Sequence, residues 1–260
     1  MNKAIVTLLS RAIVERALDS SYPNKCPDKI YGKYNKVSSQ LETGERDIEQ
    51  NEQECAIILV LESPHTHEFD SYKQGIGPAQ GSTGRNIQKY LVEIIDNYSQ
   101  LLKLQEQAYN LVLVNAIQLQ CSLGCDRLHY RDAMFLYHWE QEKYRRDFRD
   151  RLETIVKNYC KGGIVINCCT KGEHNDSLTY HSGPVDEEYL KEIGFSFNKN
   201  VFDYENDVDT LQGIVEKEIE EVIEKESENK EKWRHFVGKH PYSWFNENNR
   251  KIKYKIKENE

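Results

Sequence analysis

Cys55-Ala56-Ile57-Ile58-Leu59-Val60-Leu61-Glu62-Ser63-Pro64-His65 is the stretch on which the reading of the fold turns. The run from Cys55 to Leu61 is apolar throughout, the pattern of a central strand buried on both faces. Pro64 cannot donate to a sheet ladder and restricts the residue before it, so the strand is expected to stop there. Glu62 then falls at the strand's carboxyl end. In an open α/β sheet that end borders the ligand crevice.

Working outward, Ser82-Thr83-Gly84-Arg85-Asn86 opens a helix that carries Ile87, Leu91, Ile94 and Ile95, and Leu111-Val112-Leu113-Val114 makes a second buried strand ending at Asn115. Strand, helix, strand reads as a parallel crossover unit. Helix-favouring residues from about 139 to 158 lead through Gly162-Gly163 into a third strand, Ile164-Val165-Ile166-Asn167. A charged helix covers about 206 to 227, and Trp233-Arg234-His235-Phe236-Val237 is the strand that feeds His240. The expected fold is α/β: a three-layer α/β/α sandwich with a mainly parallel central sheet of about four strands.

Residues 1–54 read as a helix over 2–18, carrying Ile5, Leu8, Leu9, Ala12, Ile13 and Ala17, followed by a polar loop region packed on the core. The α/β domain spans 55–248, with insertions near 117–138 and 170–204 that fit the scheme poorly, and 249–260 is a basic tail. Its Arg250-Lys251-Ile252-Lys253-Tyr254-Lys255 pattern suits either a basic track for a polyanion or a lysine-guarded edge strand.

Composition narrows the classes. With 38% hydrophobic and 30% charged residues the chain reads as globular, and no stretch is apolar enough to span a bilayer, so no membrane partner is expected. The N-terminus lacks a signal-peptide core, and seven scattered cysteines form no secreted disulfide framework; a cytoplasmic monomer with reduced thiols is expected. A net charge of -8 argues against indiscriminate coating of nucleic acid. No metal is expected, because Cys121 and Cys125, with His129 nearby, supply at most half of a tetrahedral set.

Several strand ends carry chemistry. The Glu62 carboxylate can orient water or stabilise a cation, or merely cap the next turn. The Asn115 amide offers a donor and an acceptor, complementary to a pyrimidine edge, although such residues also satisfy their own loops. Pro241 holds His240 in a defined geometry. Tyr242 and Trp244 behind it are either exposed rings that wedge into a base stack or core. Gly77 to Gly84 is a glycine-punctuated loop entering a helix N-terminus, able to receive a phosphate but without the Gly-Lys-Ser/Thr of a Walker loop.

Taken in order, these segments resemble the motifs of the uracil-DNA glycosylase superfamily, most closely the branch with a Gly-Glu-Ala-Pro-Gly first motif. Leu61-Glu62-Ser63-Pro64-His65 falls on that motif with both glycines lost, and Pro78, Gly81 and Gly84 resemble its Gly-x-Pro-Phe-x-Gly-x-x-Gly segment. Asn115 is similar to the pyrimidine-reading asparagine, Gly163 to Thr170 to the strand and loop that pinch the DNA backbone, and His240-Pro241 to the His-Pro-Ser motif.

The resemblance implies a monofunctional DNA glycosylase that flips a nucleotide and cleaves its N-glycosidic bond. It implies that His240 stabilises the departing base anion, Asn115 reads the base, and Glu62 orients water or offsets sugar charge. It assigns Ser63, His65 and Ala79 to the base pocket, and Pro64, Ser82, Arg85, Thr170, Tyr242 and Trp244 to DNA. Ala79 replaces a uracil-stacking phenylalanine, and His65 stands where some members use a tyrosine to exclude a 5-substituent. The expected substrate is therefore a bulkier, 5-substituted pyrimidine, removed in defence against modified foreign DNA or in repair. No cofactor is expected, because Cys26 is the only cysteine before Cys55 and the branch's iron-sulfur cysteines are missing. The alternatives are an inactive binding protein on the same fold and a hydrolase of free nucleosides.

Overall fold

The structure is a computed structural model, described here for residues 25–48, 54–72, 74–121, 135, 138–159, 161–172, 210–225 and 232–254. The expected N-terminal helix, most of both insertions and the end of the basic tail lie outside these residues. In chain order the elements are β1 (Lys29–Asn35), β2 (Gln40–Arg46), β3 (Cys55–Leu61), α1 (Ser82–Asn97) and the single-turn α2 (Ser99–Leu102). Then come β4 (Ala108–Asn115), α3 (Glu142–Asn158), β5 (Gly163–Asn167), α4 (Leu211–Lys225), β6 (Trp233–Gly238) and β7 (Ile252–Tyr254).

The strands form one sheet in the order β2-β1-β4-β3-β5-β6-β7. Its centre, β4-β3-β5-β6, is parallel. β1, β2 and β7 pair antiparallel at the two sides. The α/β class holds, but the sheet is mixed and has seven strands, not about four. The parallel strands are the four apolar segments read from the sequence. The additional ones carry no continuous apolar run: β2 and β7 are the sheet's edges, and β1 lies between β2 and β4 with Ile30, Tyr31 and Tyr34 buried. β2 is almost wholly exposed, and β1 shifts register between Ile30 and Gly32, which breaks its alternation. The polar region before residue 54 thus contains a hairpin, and the basic tail supplies β7 as an edge strand, with Ile252 buried and Lys251 and Lys253 exposed.

Alternation along β3 divides the core. Ala56, Ile58 and Val60 join Val112, Val114 and Val165 under Phe148, Leu152 and Val156 of α3 and Val215, Ile219 and Val222 of α4. Ile57, Leu59 and Leu61 join Leu111, Leu113, Ile164 and Ile166 under Ile87, Leu91, Ile94 and Ile95 of α1. Helices therefore cover both faces of the sheet. Truncating a fully buried β3 side chain such as Leu59 to alanine costs about 2–5 kcal/mol. Gly163 permits the β3–β5 pairing, since a Cβ there would sit 1.8 Å from the Ala56 carbonyl oxygen.

Candidate functional site

From β3 the chain crosses through α1 to β4 on one side, and from β5 it crosses through α4 to β6 on the other. The crevice at such a switch point opens between the carboxyl ends of β3 and β5. Glu62 follows β3 and Thr170 follows β5, and the Thr170 hydroxyl donates to the Glu62 carboxylate across this gap. Glu62 is only 2% exposed, so the carboxylate lies inside the sheet edge instead of in an open cleft. Ser63 beside it is half-buried, and its Oγ has no hydrogen-bond partner among the described residues.

Asn115 ends β4 directly opposite Leu61. Its main chain is clamped: the amide donates to Asp28 Oδ1 at 3.2 Å, and the carbonyl accepts from Arg151 Nη2 at 3.1 Å. Arg151, reaching from α3, also donates to Asp28 Oδ2 at 2.5 Å and to Asp147 at 2.8 Å. The Asn115 side chain is buried, with Nδ2 3.8 Å from the Cys26 sulfur and Oδ1 unpartnered among the described residues. Burial pushes the Cys26 and Cys169 thiols up, which keeps both protonated and unreactive.

Glu68 is a member of this cluster that sequence reading missed. It ends a 3-10 turn (Thr66–Glu68) after β3 and is buried. Its Oε1 accepts from the Ala79 amide at 2.8 Å, while Oε2 is unpartnered among the described residues. Desolvation raises its pKa to about 7, against the lowering effects of the Ala79 and His65 backbone and the Asn115 carboxamide. The only sequence signal was an acidic residue shortly after the first motif, in a segment polar enough to pass for solvated loop.

Ala79 is buried in a left-handed conformation at φ +62. The turn around it is locked by Gly84, where a Cβ would lie 2.0 Å from the Ala79 carbonyl oxygen, and by Tyr31, whose hydroxyl donates to the Gly84 carbonyl at 3.1 Å. Beyond Ala79 opens a polar cleft of about 280 Å³, lined also by Thr43, Glu45, Gln80, Arg85 and Gln88. Exposed Arg85 donates to Ser82 Oγ at 2.9 Å at the start of α1. His65 is half-buried, and its Nδ1 accepts from the His67 amide at 3.3 Å. Pro64 is buried.

His240 follows β6 and caps a 3-10 turn (Pro241–Ser243), its Nδ1 accepting from the Tyr242 amide at 3.2 Å. In the neutral imidazole that assigns the hydrogen to Nε2. The turn is docked on α1 by Asn86, whose Nδ2 donates to the Pro241 and Tyr242 carbonyls at 3.0 Å each. Trp244 is corrected: its ring is 3% exposed, its Nε1 donates to the Lys239 carbonyl at 2.9 Å, and it belongs to the core under α1. The exposed rings of the described segment after His240 are Tyr242 at 49% and Phe245 at 65%.

The two strand ends nearest α4 share one support. Gln212 Nε2 donates to the carbonyls of Asn167, Cys169 and Gly238 at 3.1, 3.0 and 2.7 Å, tying the loop that carries Thr170 to the strand that carries His240. Asn167 in turn donates to Glu216 at 2.6 Å, and His235 pairs with the same carboxylate. Two strand spacings of about 4.8 Å, roughly 10 Å in all, separate the end of β3, which Glu62 follows, from the end of β6, which leads to His240. Glu62, Asn115, Thr170 and His240 thus share one edge, whereas Trp244 does not join them.

No protein-family model matches the chain, and comparison with curated proteins and with solved structures likewise returns no match. Its class is therefore defined by architecture alone: an α/β protein with a polar cluster at the carboxyl edge of a parallel sheet centre.

Proposed function

We propose that this protein is a monofunctional DNA glycosylase that removes a modified, 5-substituted pyrimidine and leaves an abasic site. The observation that carries the reading is the sharing of one sheet edge by Glu62, Asn115, Thr170 and His240, each at or just beyond the carboxyl end of a different one of the adjacent parallel strands, in the order of the motifs they resemble. Cleavage of an N-glycosidic bond develops positive charge on the sugar and negative charge on the base. A carboxylate and an imidazole N–H on either side of the bond stabilise both. Glu62, held by Thr170, serves the sugar and its attacking water; His240 serves the base through Nε2; Asn115, fixed by Asp28 and Arg151, reads the base edge. Alanine at position 79 leaves room beside the base where the polar cleft begins. Tyr242 is an exposed ring beside His240 that can fill the vacated stack, and Ser82 and Arg85 offer donors for phosphate.

The test is incubation with duplexes containing uracil, thymine mismatches or large 5-substituted cytosines, followed by alkaline cleavage at abasic sites. Strand scission on one substrate, absent in His240→Ala, supports the reading. A second reading, a binding protein without catalysis, is favoured by the near-complete burial of Glu62. Tight DNA binding with no abasic sites on any substrate would select it.

A further inference from the structure

Glu68 belongs to none of the motifs, yet it stands against the residue assigned to read the base. Its Oε1 is fixed by the Ala79 amide, and its buried Oε2 has no hydrogen-bond partner among the described residues. The Asn115 carboxamide is its neighbour, an amide donor to the ionised Glu68 carboxyl that lowers its pKa, and Asn115 Oδ1 is also buried and without a hydrogen-bond partner among the described residues. Leaving such atoms unsatisfied costs about 1–3 kcal/mol each, which folding accepts where a ligand supplies the partners. A carboxylic acid beside an amide oxygen offers a donor next to an acceptor.

That pattern discriminates between bases. A cytosine-type ring presents an N3 acceptor beside a 4-amino donor, so Glu68 O–H meets N3 while Asn115 Oδ1 meets the amino group. A uracil-type ring presents N3–H and O4, which set donor against donor and acceptor against acceptor. A cytosine anion is also the poorer leaving group, because an amino substituent withdraws less charge than a carbonyl. Expelling it calls for a proton.

Resting on the glycosylase reading, we propose that Glu68 is a further catalytic residue, the general acid that protonates N3 of a cytosine-class base as its glycosidic bond breaks. The N1–C1′ electron pair stays with the base, the proton on Oε2 passes to N3, and the base departs neutral. The water oxygen bonds to C1′ and gives up its proton to the Glu62 carboxylate, and solvent reprotonates Glu68. Burial supports the role by raising the carboxyl pKa to about 7, which retains the proton near neutrality. The titratable groups around it are Glu45 of β2, which raises the pKa further, and the protonated Cys26 thiol; Asp28, which holds the Asn115 amide, is paired with Arg151. His65 and His67 share its turn.

The experiment compares single-turnover base release from duplexes carrying 5-hydroxymethylcytosine or 5-hydroxymethyluracil, from pH 5.5 to 9, for the wild type and Glu68→Gln. The cytosine analogue should be released faster, with a rate falling about tenfold per pH unit above about 7. Glu68→Gln, of unchanged fold, should lose about 10²–10⁴-fold in rate together with that pH limb. Preference for the uracil analogue, or a variant that keeps the rate and the limb, overturns the proposal. If the wild type releases neither base, the glycosylase reading fails separately, and binding of free 5-hydroxymethylcytosine decides the role of Glu68. Affinity that declines above pH 7 and drops at least about tenfold in Glu68→Gln sustains the pairing from which the role follows; no binding overturns it.

Discussion

Arg151 holds Asn115 without touching its side chain: the guanidinium donates to the Asn115 carbonyl at 3.1 Å while it grips Asp28, which accepts from the Asn115 amide. A helix on one face thereby fixes the end of a strand whose functional group projects elsewhere. Breaking a largely buried ion pair strands the remaining charge. Arg151→Ala should therefore lower stability by about 3–5 kcal/mol, read as a shift in urea midpoint at unchanged slope.

Glu68 links stability to pH. Below the ordinary carboxyl value of 4.5 both folded and unfolded chains hold the proton; between 4.5 and about 7 only the folded chain does, so folding loses ground as pH rises and the full penalty is reached above about 7. The penalty is about 3 kcal/mol. Glu68→Gln should be more stable than the wild type at pH 8 and match it at pH 4.5, measured by denaturant titration across that range.

Gly84 lies against the turn that carries Ala79 and so supports Glu68. A Cβ at 2.0 Å from a backbone oxygen cannot be absorbed by a rotamer change. Gly84→Ala should cost about 1–3 kcal/mol in thermal or urea unfolding. A variant as stable as the wild type would refute the packing of this turn.

Gln212 bridges three carbonyls at the ends of β5 and β6. Gln212→Leu keeps the volume but leaves those acceptors buried, so a loss of about 2–4 kcal/mol is expected. Because the loops of Thr170 and His240 are joined there, base release should fall in kcat more than in KM.

Tyr242 is the exposed ring of the His240 turn. Tyr242→Ala should leave stability within about 0.5 kcal/mol of wild type and weaken duplex binding by about 1–3 kcal/mol, measured by fluorescence anisotropy. The same substitution at Trp244 should instead cost about 3–5 kcal/mol of stability, because that ring is core.

What the sequence disclosed follows the physics of burial. β3, β4 and β5 were legible because strands covered on both faces are apolar runs, and β6 by its Trp233, Phe236 and Val237 ahead of the His240 turn; their carboxyl ends located Glu62, Asn115, Thr170 and His240. β2 carries no apolar face, and β7 is three residues in a lysine-rich stretch; edge strands are defined by a neighbour's ladder, which leaves no pattern in their own residues. Glu68 was illegible for a related reason. It is buried only when Phe69 pairs with Gly75 and the Ala79 turn folds over it, contacts that no local period encodes. Trp244 was readable either as a wedge or as core until its indole N–H found the Lys239 carbonyl.

The most direct test of the central claim is mass-spectrometric detection of the free base released from duplexes bearing 5-substituted pyrimidines, with the wild type beside folded Glu62→Gln, Asn115→Ala and His240→Ala variants. The account predicts free base and an unbroken strand with an abasic site from the wild type, and a loss of at least about 100-fold in each variant at unchanged melting temperature. A folded wild type that binds these duplexes yet releases no base from any of them would contradict it.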